Sequence, residues 1–147
     1  MNTLLCLAGL LAVCGLASAG VELTEDQKQL MGQLREACMG ETGVDAAALD
    51  GCLSGNFPDD PKLKCYMKCV YQQMTVMDDD GMVDADMMLT MLPEDIQPKA
   101  EGILNACKDV HGADACDNAM LFNKCLYAKA PEVRTSSILA FEWRPFF

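Results

Sequence analysis

A chain of 147 residues is long enough for one domain and short for two. Its formal net charge of −11 at pH 7 excludes affinity for nucleic acid, argues against docking on anionic lipid, and favours solubility through repulsion between copies. Nine cysteines in so short a chain point to a disulfide framework if the chain enters an oxidising compartment.

The first residues supply that condition. Met1 to Gly20 carry no charged side chain, and the apolar run Leu4 to Leu16 leads into Ala17-Ser18-Ala19, the small-x-small pattern a signal peptidase accepts. Residues 1–19 therefore read as a signal peptide cleaved after Ala19, with the mature domain over 20–147 and an extracellular location expected. The competing reading is a membrane anchor, for which the run is short of the roughly 20 residues a span needs. No later stretch suits stable membrane insertion; the longest apolar one is Met87 to Leu92. Cys6 and Cys14 would leave with the leader, and seven cysteines would stay: Cys38, Cys52, Cys65, Cys69, Cys107, Cys116 and Cys125.

The mature chain reads as helices throughout. Leu23 to Gly40 has Thr24 and Gln27 as a capping box, acidic residues in its first turn, and Leu30, Met31, Leu34, Ala37 and Cys38 on one face. Gly40 is its expected stop, and Gly43 falls in the following link. Asp45 can cap Ala46 to Leu53, and the turn residues Ser54 to Pro61 follow. A third helix starts at Pro61 under the cap Asp60 and runs to about Met77, striped by Leu63, Tyr66, Met67, Val70, Met74 and Met77. Asp84 can cap a fourth, Ala85 to Leu92, with Met87, Met88, Met91 and Leu92 apolar and Pro93 as terminator. A fifth spans about Glu94 to Val110, with Pro98 near its start, and a sixth spans Asp114 to Ala130. No alternation at period two competes, so the class is all-α.

Two metal readings fail on the residues. Gly81 in Asp78-Asp79-Asp80-Gly81 could be the sixth position of a calcium loop, but the first and twelfth would then be Val76 and Met87, neither a carboxylate. Zinc would need a Cys-x-x-Cys pair or several histidines, and His111 is the single histidine. No cofactor, metal or catalytic group is expected, and the chain does not read as an enzyme.

Six of the cysteines have a specific spacing: Cys38, 26 residues, Cys65, 3 residues, Cys69, 37 residues, Cys107, 8 residues, Cys116, 8 residues, Cys125. Cys65 and Cys69 share one helix face, so each should bond outward to another element. Six cysteines still allow fifteen pairings. This spacing resembles that of the six-cysteine insect odorant-binding proteins. Supporting strings are Thr42-Gly43-Val44, Lys62 to Cys69, Asp79-Asp80-Gly81 and Leu92-Pro93, and the resemblance covers about Leu23 to Glu132.

The resemblance implies a compact six-helix domain stapled by three interlocking disulfides, Cys38–Cys69, Cys65–Cys116 and Cys107–Cys125, around an apolar cavity. Cys52 falls outside the pattern and is either a buried free thiol or a link between two copies. By position against the cysteines, the implied ligand wall is Tyr71 and Met74, Met88 and Leu92, Ala100 and Ile103, and Met120, Asn123 and Leu126. Asn123 would be its polar member, able to bond a ligand hydroxyl or carbonyl. Methionine is flexible and polarizable, which suits such a wall and equally suits ordinary core packing. Tyr66 matches a tyrosine that some relatives use to grip a C-terminal tail. Here the tail, 131–147, departs from the family, with Phe141, Trp143, Phe146 and Phe147 near its end. It is expected to fold back as a wall or lid.

The function implied is a secreted carrier of small apolar molecules such as odorants or pheromones, with olfactory receptors as partners and a monomer or homodimer as its state. A secreted interaction protein and a non-olfactory carrier of hormones or lipids are the alternatives.

Overall fold

The structure, a computed structural model, describes residues 25–92 and 94–130. The leader, Thr24 of the expected capping box, Pro93 and the tail from Pro131 lie outside the described residues. Six helices follow in order: α1 Glu25–Thr42, α2 Ala46–Leu53, α3 Pro61–Gln73, α4 Ala85–Thr90, α5 Gln97–Cys107 and α6 Ala115–Lys129. Among the described residues, extended pairing is confined to one antiparallel bridge, Met77 with Val83.

Aspartates start four of the helices. Asp45, Asp60, Asp84 and Asp114 each accept a hydrogen bond from a backbone N–H of the first turn, which would otherwise have no helical partner. Pro61 occupies the first turn of α3, where its missing N–H costs nothing. α5 begins at Gln97, later than the expected Glu94, and Pro98 is the reason. A helix from Glu94 would set the proline ring against the Glu94 carbonyl, four residues back.

The helix ends correct the sequence reading in three places. α1 runs past Gly40 to Thr42, and Gly43 takes the left-handed φ of +65° while its N–H donates to Met39 O. α3 stops at Gln73, a turn short of Met77. Thr75 adopts φ +58° there, with Thr75 N–H donating to Gln72 O and Val76 N–H to Tyr71 O, a Schellman closure on a threonine. In α4 the last turn tightens, so that the Met91 and Leu92 amides bond three residues back, and the regular helix ends at Thr90.

α3 is the central element. It packs most extensively on α6 and next on α1, while α5 touches both α4 and α6. Its inward side chains Leu63, Tyr66, Met67, Val70 and Tyr71 join Cys38, Leu49, Met88, Ala100, Leu104, Ala119, Met120 and Phe122 in one apolar cluster. Three disulfides fix this arrangement: Cys38–Cys69 ties α1 to α3, Cys65–Cys116 ties α3 to α6, and Cys107–Cys125 ties α5 to α6. These are the pairs implied by the resemblance.

Gly81 and the turn around it dock on α6. With φ +80°, Gly81 lies so close that an added Cβ would come within 2.6 Å of Ala115 Cα. The buried side chain of Asn118 holds the same region by donating to Asp80 O and accepting from Gly112 N–H.

Candidate functional site

The seam between α3 and α6 gathers the side chains that bear on binding. Tyr71 is almost fully enclosed, and its ring meets Phe122 edge to face at 5.7 Å between centroids. Its hydroxyl donates to Asn123 Oδ1 at 3.0 Å, and Asn123 Nδ2 donates to Ala119 O at 2.9 Å. A carbonyl can only accept, so the amide nitrogen must face Ala119 and its oxygen must face Tyr71. Burial pushes the Tyr71 hydroxyl well above its ordinary pKa, against a smaller opposing effect of the Asn123 bond, so it stays protonated.

The other expected ligand residues divide by burial. Met88, Ala100 and Met120 are buried within the same cluster as Tyr71. Met74, Leu92 and Leu126 are half-buried and pack against it. Ile103 is half-buried on α5 and stands outside that cluster among the described residues. The fourth-helix methionines split: Met88 points inward, while Met87 and Met91 are 43% and 47% exposed. Phe122 was not among the expected wall residues. Its signal was present, since it sits four residues before Leu126 on the face that α6 turns to α3.

Around the seam, charged groups brace rather than bind. Lys64 on α3 pairs with Asp59 in the preceding loop and with Asp117 on α6, the latter at 2.9 Å. The Ala113 N–H and, next, the Lys64 ammonium hold the Asp117 carboxyl below its ordinary pKa. Tyr66 is buried with Arg35 beside it, and burial pushes its hydroxyl up to about 12. Cys52 is free and buried, its thiol donating to Ala48 O and pushed up to about 11 by burial. It is therefore a poor thiolate at neutral pH. His111 lies exposed in the α5–α6 link.

The spacing, the six helices and the three bridges agree with a comparison across protein families, in which the model of the PBP/GOBP family matches residues 20–129. The chain belongs to the PBP/GOBP family. Among relatives of this PBP/GOBP member is the general odorant-binding protein 69a of Drosophila melanogaster, 27% identical over 113 residues and covering 76% of each chain. Odorant binding protein 7 of Anopheles gambiae, solved in complex with an azo compound, superposes with a TM-score of 0.69 at 27% identity, over 79% of this chain and 95% of that one. The fatty acid binding protein OBP56a from the oral disk of the blowfly Phormia regina superposes with a TM-score of 0.61 at 26% identity, over 76% of this chain and 97% of that one. Among the described residues, no helix is long and apolar enough to cross a membrane.

Proposed function

We propose that this PBP/GOBP member is a secreted carrier of small apolar molecules, odorants or pheromones or lipids of similar character, which it moves through extracellular fluid toward olfactory receptors. The observation that carries the reading is the α3–α6 seam. There, methionine and other apolar side chains gather around one buried tyrosine–asparagine pair, between helices cross-linked by disulfides.

The physical logic is a division of labour. Each bridge stabilises the fold by about 2–4 kcal/mol, chiefly by restricting the unfolded chain. A stapled domain can keep an unfilled interior that would otherwise cost roughly 24 cal/mol per Å³. An apolar chamber stays dry and accepts apolar guests, and methionine walls reshape around different ones. Tyr71, Met74, Met88, Leu92, Ala100, Ile103, Met120, Asn123 and Leu126 form the proposed wall. Two named relatives fit the same theme: the mosquito protein holds an azo compound, and the blowfly protein is described as fatty acid binding.

The leader over 1–19 and the tail complete the proposal. Secreted protein should begin at Gly20, and removing Val133 to Phe147 should change ligand affinity if the tail closes the chamber. The direct test is displacement of a naphthylamine probe by volatiles and fatty alcohols on oxidised protein spanning 20–147. Micromolar probe binding with selective displacement is expected. Absence of binding by a correctly bridged, helical sample would overturn the carrier reading.

A further inference from the structure

Among the described residues four large apolar side chains are exposed, Leu30, Met82, Met87 and Met91. Three of the four fall between Met82 and Met91, on α4 and the turns that flank it. Single exposed apolar residues are ordinary on a protein surface, but a group of them marks a contact site. Met87 and Met91 stand four residues apart, so they share the outer face of α4 and its tightened last turn. Met88 between them points the other way and is buried. The inner face of α4 is packed on the core, and the outer face is left to solvent.

The charge around these methionines has one sign. No lysine, arginine or histidine lies between Lys68 and Lys99, whereas seven carboxylates lie between Asp78 and Asp95. All seven are exposed, and none of them enters an ion pair among the described residues. They alternate with the methionines along the chain, Asp80 before Met82, Asp86 beside Met87 and Glu94 after Met91. Two of them also fix the backbone that presents the methionines. Asp78 accepts from the Met82 N–H and Asp84 from the Met87 N–H, both at 2.8 Å.

The two properties together select one kind of partner. An anionic lipid surface is repelled. A second copy docked through the same face would set like charges against like. A neutral apolar partner would strip water from the carboxylates and return nothing to them. A segment with an apolar stripe flanked by lysine or arginine satisfies both properties. Its stripe covers the methionines, whose flexible chains fit stripes of different shape, and its cations meet the carboxylates.

We infer that the outer face of α4 with the turn before it, Met82, Met87 and Met91 among carboxylates that have no ion pairs, docks a cationic amphipathic segment of another protein. The face lies on the opposite side of α4 from the core, so the inference does not depend on the carrier reading. Attraction between opposite charges speeds the encounter, and the methionines supply the contact.

The test uses oxidised protein spanning 20–147 with methyl-labelled methionine. The probe is a helical peptide with lysine along one face and leucine along the other. One control replaces its lysines with glutamate, and another shuffles the same composition so that neither residue forms a face. The probe should bind and move the methyl signals of Met82, Met87 and Met91, while those of the buried Met67 and Met120 stay. The glutamate peptide should not bind, and the shuffled one should bind about 10-fold more weakly. Met82→Ser/Met87→Ser/Met91→Ser should weaken binding of the probe about 10-fold. Asp86→Asn/Glu94→Gln should weaken it about 3-fold, and Glu36→Gln/Asp50→Asn, which removes as much charge from α1 and α2, by less than about 1.5-fold.

Equal weakening by the two charge-removing pairs would overturn the inference, because the peptide would then follow net charge rather than the face. Movement of Met120 while Met82, Met87 and Met91 stay would place the peptide in the interior and overturn it as well. Methyl signals of the face that move on dilution of the protein alone would assign it to a second copy. Signals that move on removal of Val133 to Phe147 would assign it to the tail, and either result would overturn the outside partner. Should the triple serine variant not fold, the two charge-removing pairs and the methyl signals of the wild type decide. Displacement of the naphthylamine probe tests the carrier reading separately, so the two can fail independently.

Discussion

The α3–α6 seam and the outer part of α4 are both rich in methionine and other apolar side chains, yet they are held by different means. In the seam, Leu63, Met67, Val70 and Tyr71 face Ala119, Met120 and Phe122, all buried, and Cys65–Cys116 brings the two backbones to 4.5 Å between Cα atoms. Lys64 and Asp117 add an ion pair beside the bridge. α4 has six regular residues, one aspartate cap and no cysteine, and it is held by the burial of Ala85 and Met88 against its neighbours. A helix so short would not persist alone in water. The difference teaches where a carrier can keep its precision and where it can keep its give. The oriented Tyr71–Asn123 pair belongs to the stapled half, and the adaptable side chains of α4 belong to the half held by packing alone.

The largest effect should come from cutting the staple. Cys65→Ser/Cys116→Ser opens a link across 51 residues of sequence, which by loop entropy should cost roughly 4 kcal/mol. Urea unfolding followed by circular dichroism reads it. A loss below about 1 kcal/mol would mean that packing rather than the bridge holds the seam, and the contrast with α4 would fall.

Next is the joint between the two regions. Gly81→Ala would force a side chain into left-handed backbone and press its Cβ on the Ala115 backbone, which cannot swing aside. The two penalties together suggest about 3 kcal/mol, visible as a lower urea midpoint. A near-neutral result would show that the turn before α4 can lift from α6.

How much of this was legible beforehand follows from range. The caps at Asp45, Asp60, Asp84 and Asp114, and the start of α3 at Pro61, depend on neighbours in sequence, and residue type alone reveals them. The Cys-x3-Cys and Cys-x8-Cys spacing carries the family. What stayed hidden depends on three-dimensional packing. Met87 and Met88 are adjacent and alike, and only the roll of α4 against α5 decides which is buried. Asn123 was placed only by position against the cysteines, and nothing in the sequence showed that it is buried and bonded by the Tyr71 hydroxyl from another helix. The end of α3 was missed because a threonine, rather than a glycine, takes the left-handed position.

That threonine gives a smaller prediction, opposite in sign. Thr75 is exposed and β-branched at φ +58°, a conformation costing about 1–2 kcal/mol without glycine. Thr75→Gly relieves this while adding freedom to the unfolded chain, so a net gain of about 0.5–1 kcal/mol is expected. Thermal or urea unfolding reads the gain. A loss would mean that the Thr75 side chain contributes to the turn into Met77, tying the end of α3 more closely to α4 than the closure bonds alone do.

The smallest expected effect tests the soft side directly. Met87 is nearly half exposed, and its sulfur accepts from the Thr90 hydroxyl at 4.0 Å, a weak contact. Met87→Ala should therefore change stability by less than about 0.5 kcal/mol, and the alanine's better helix propensity should offset part of what little is lost. The measurement is the urea midpoint of protein spanning 20–147 at two protein concentrations. A cost above about 1 kcal/mol that is independent of concentration would mean the outer face of α4 is covered by the chain itself, and α4 would no longer be the loosely held partner of the comparison. A cost that grows with concentration would place a second copy on that face instead. If the change stays within the expected range, α4 is anchored through its inner face, Ala85, Met88 and Leu89, and the stapled seam carries the rigidity that orients Asn123.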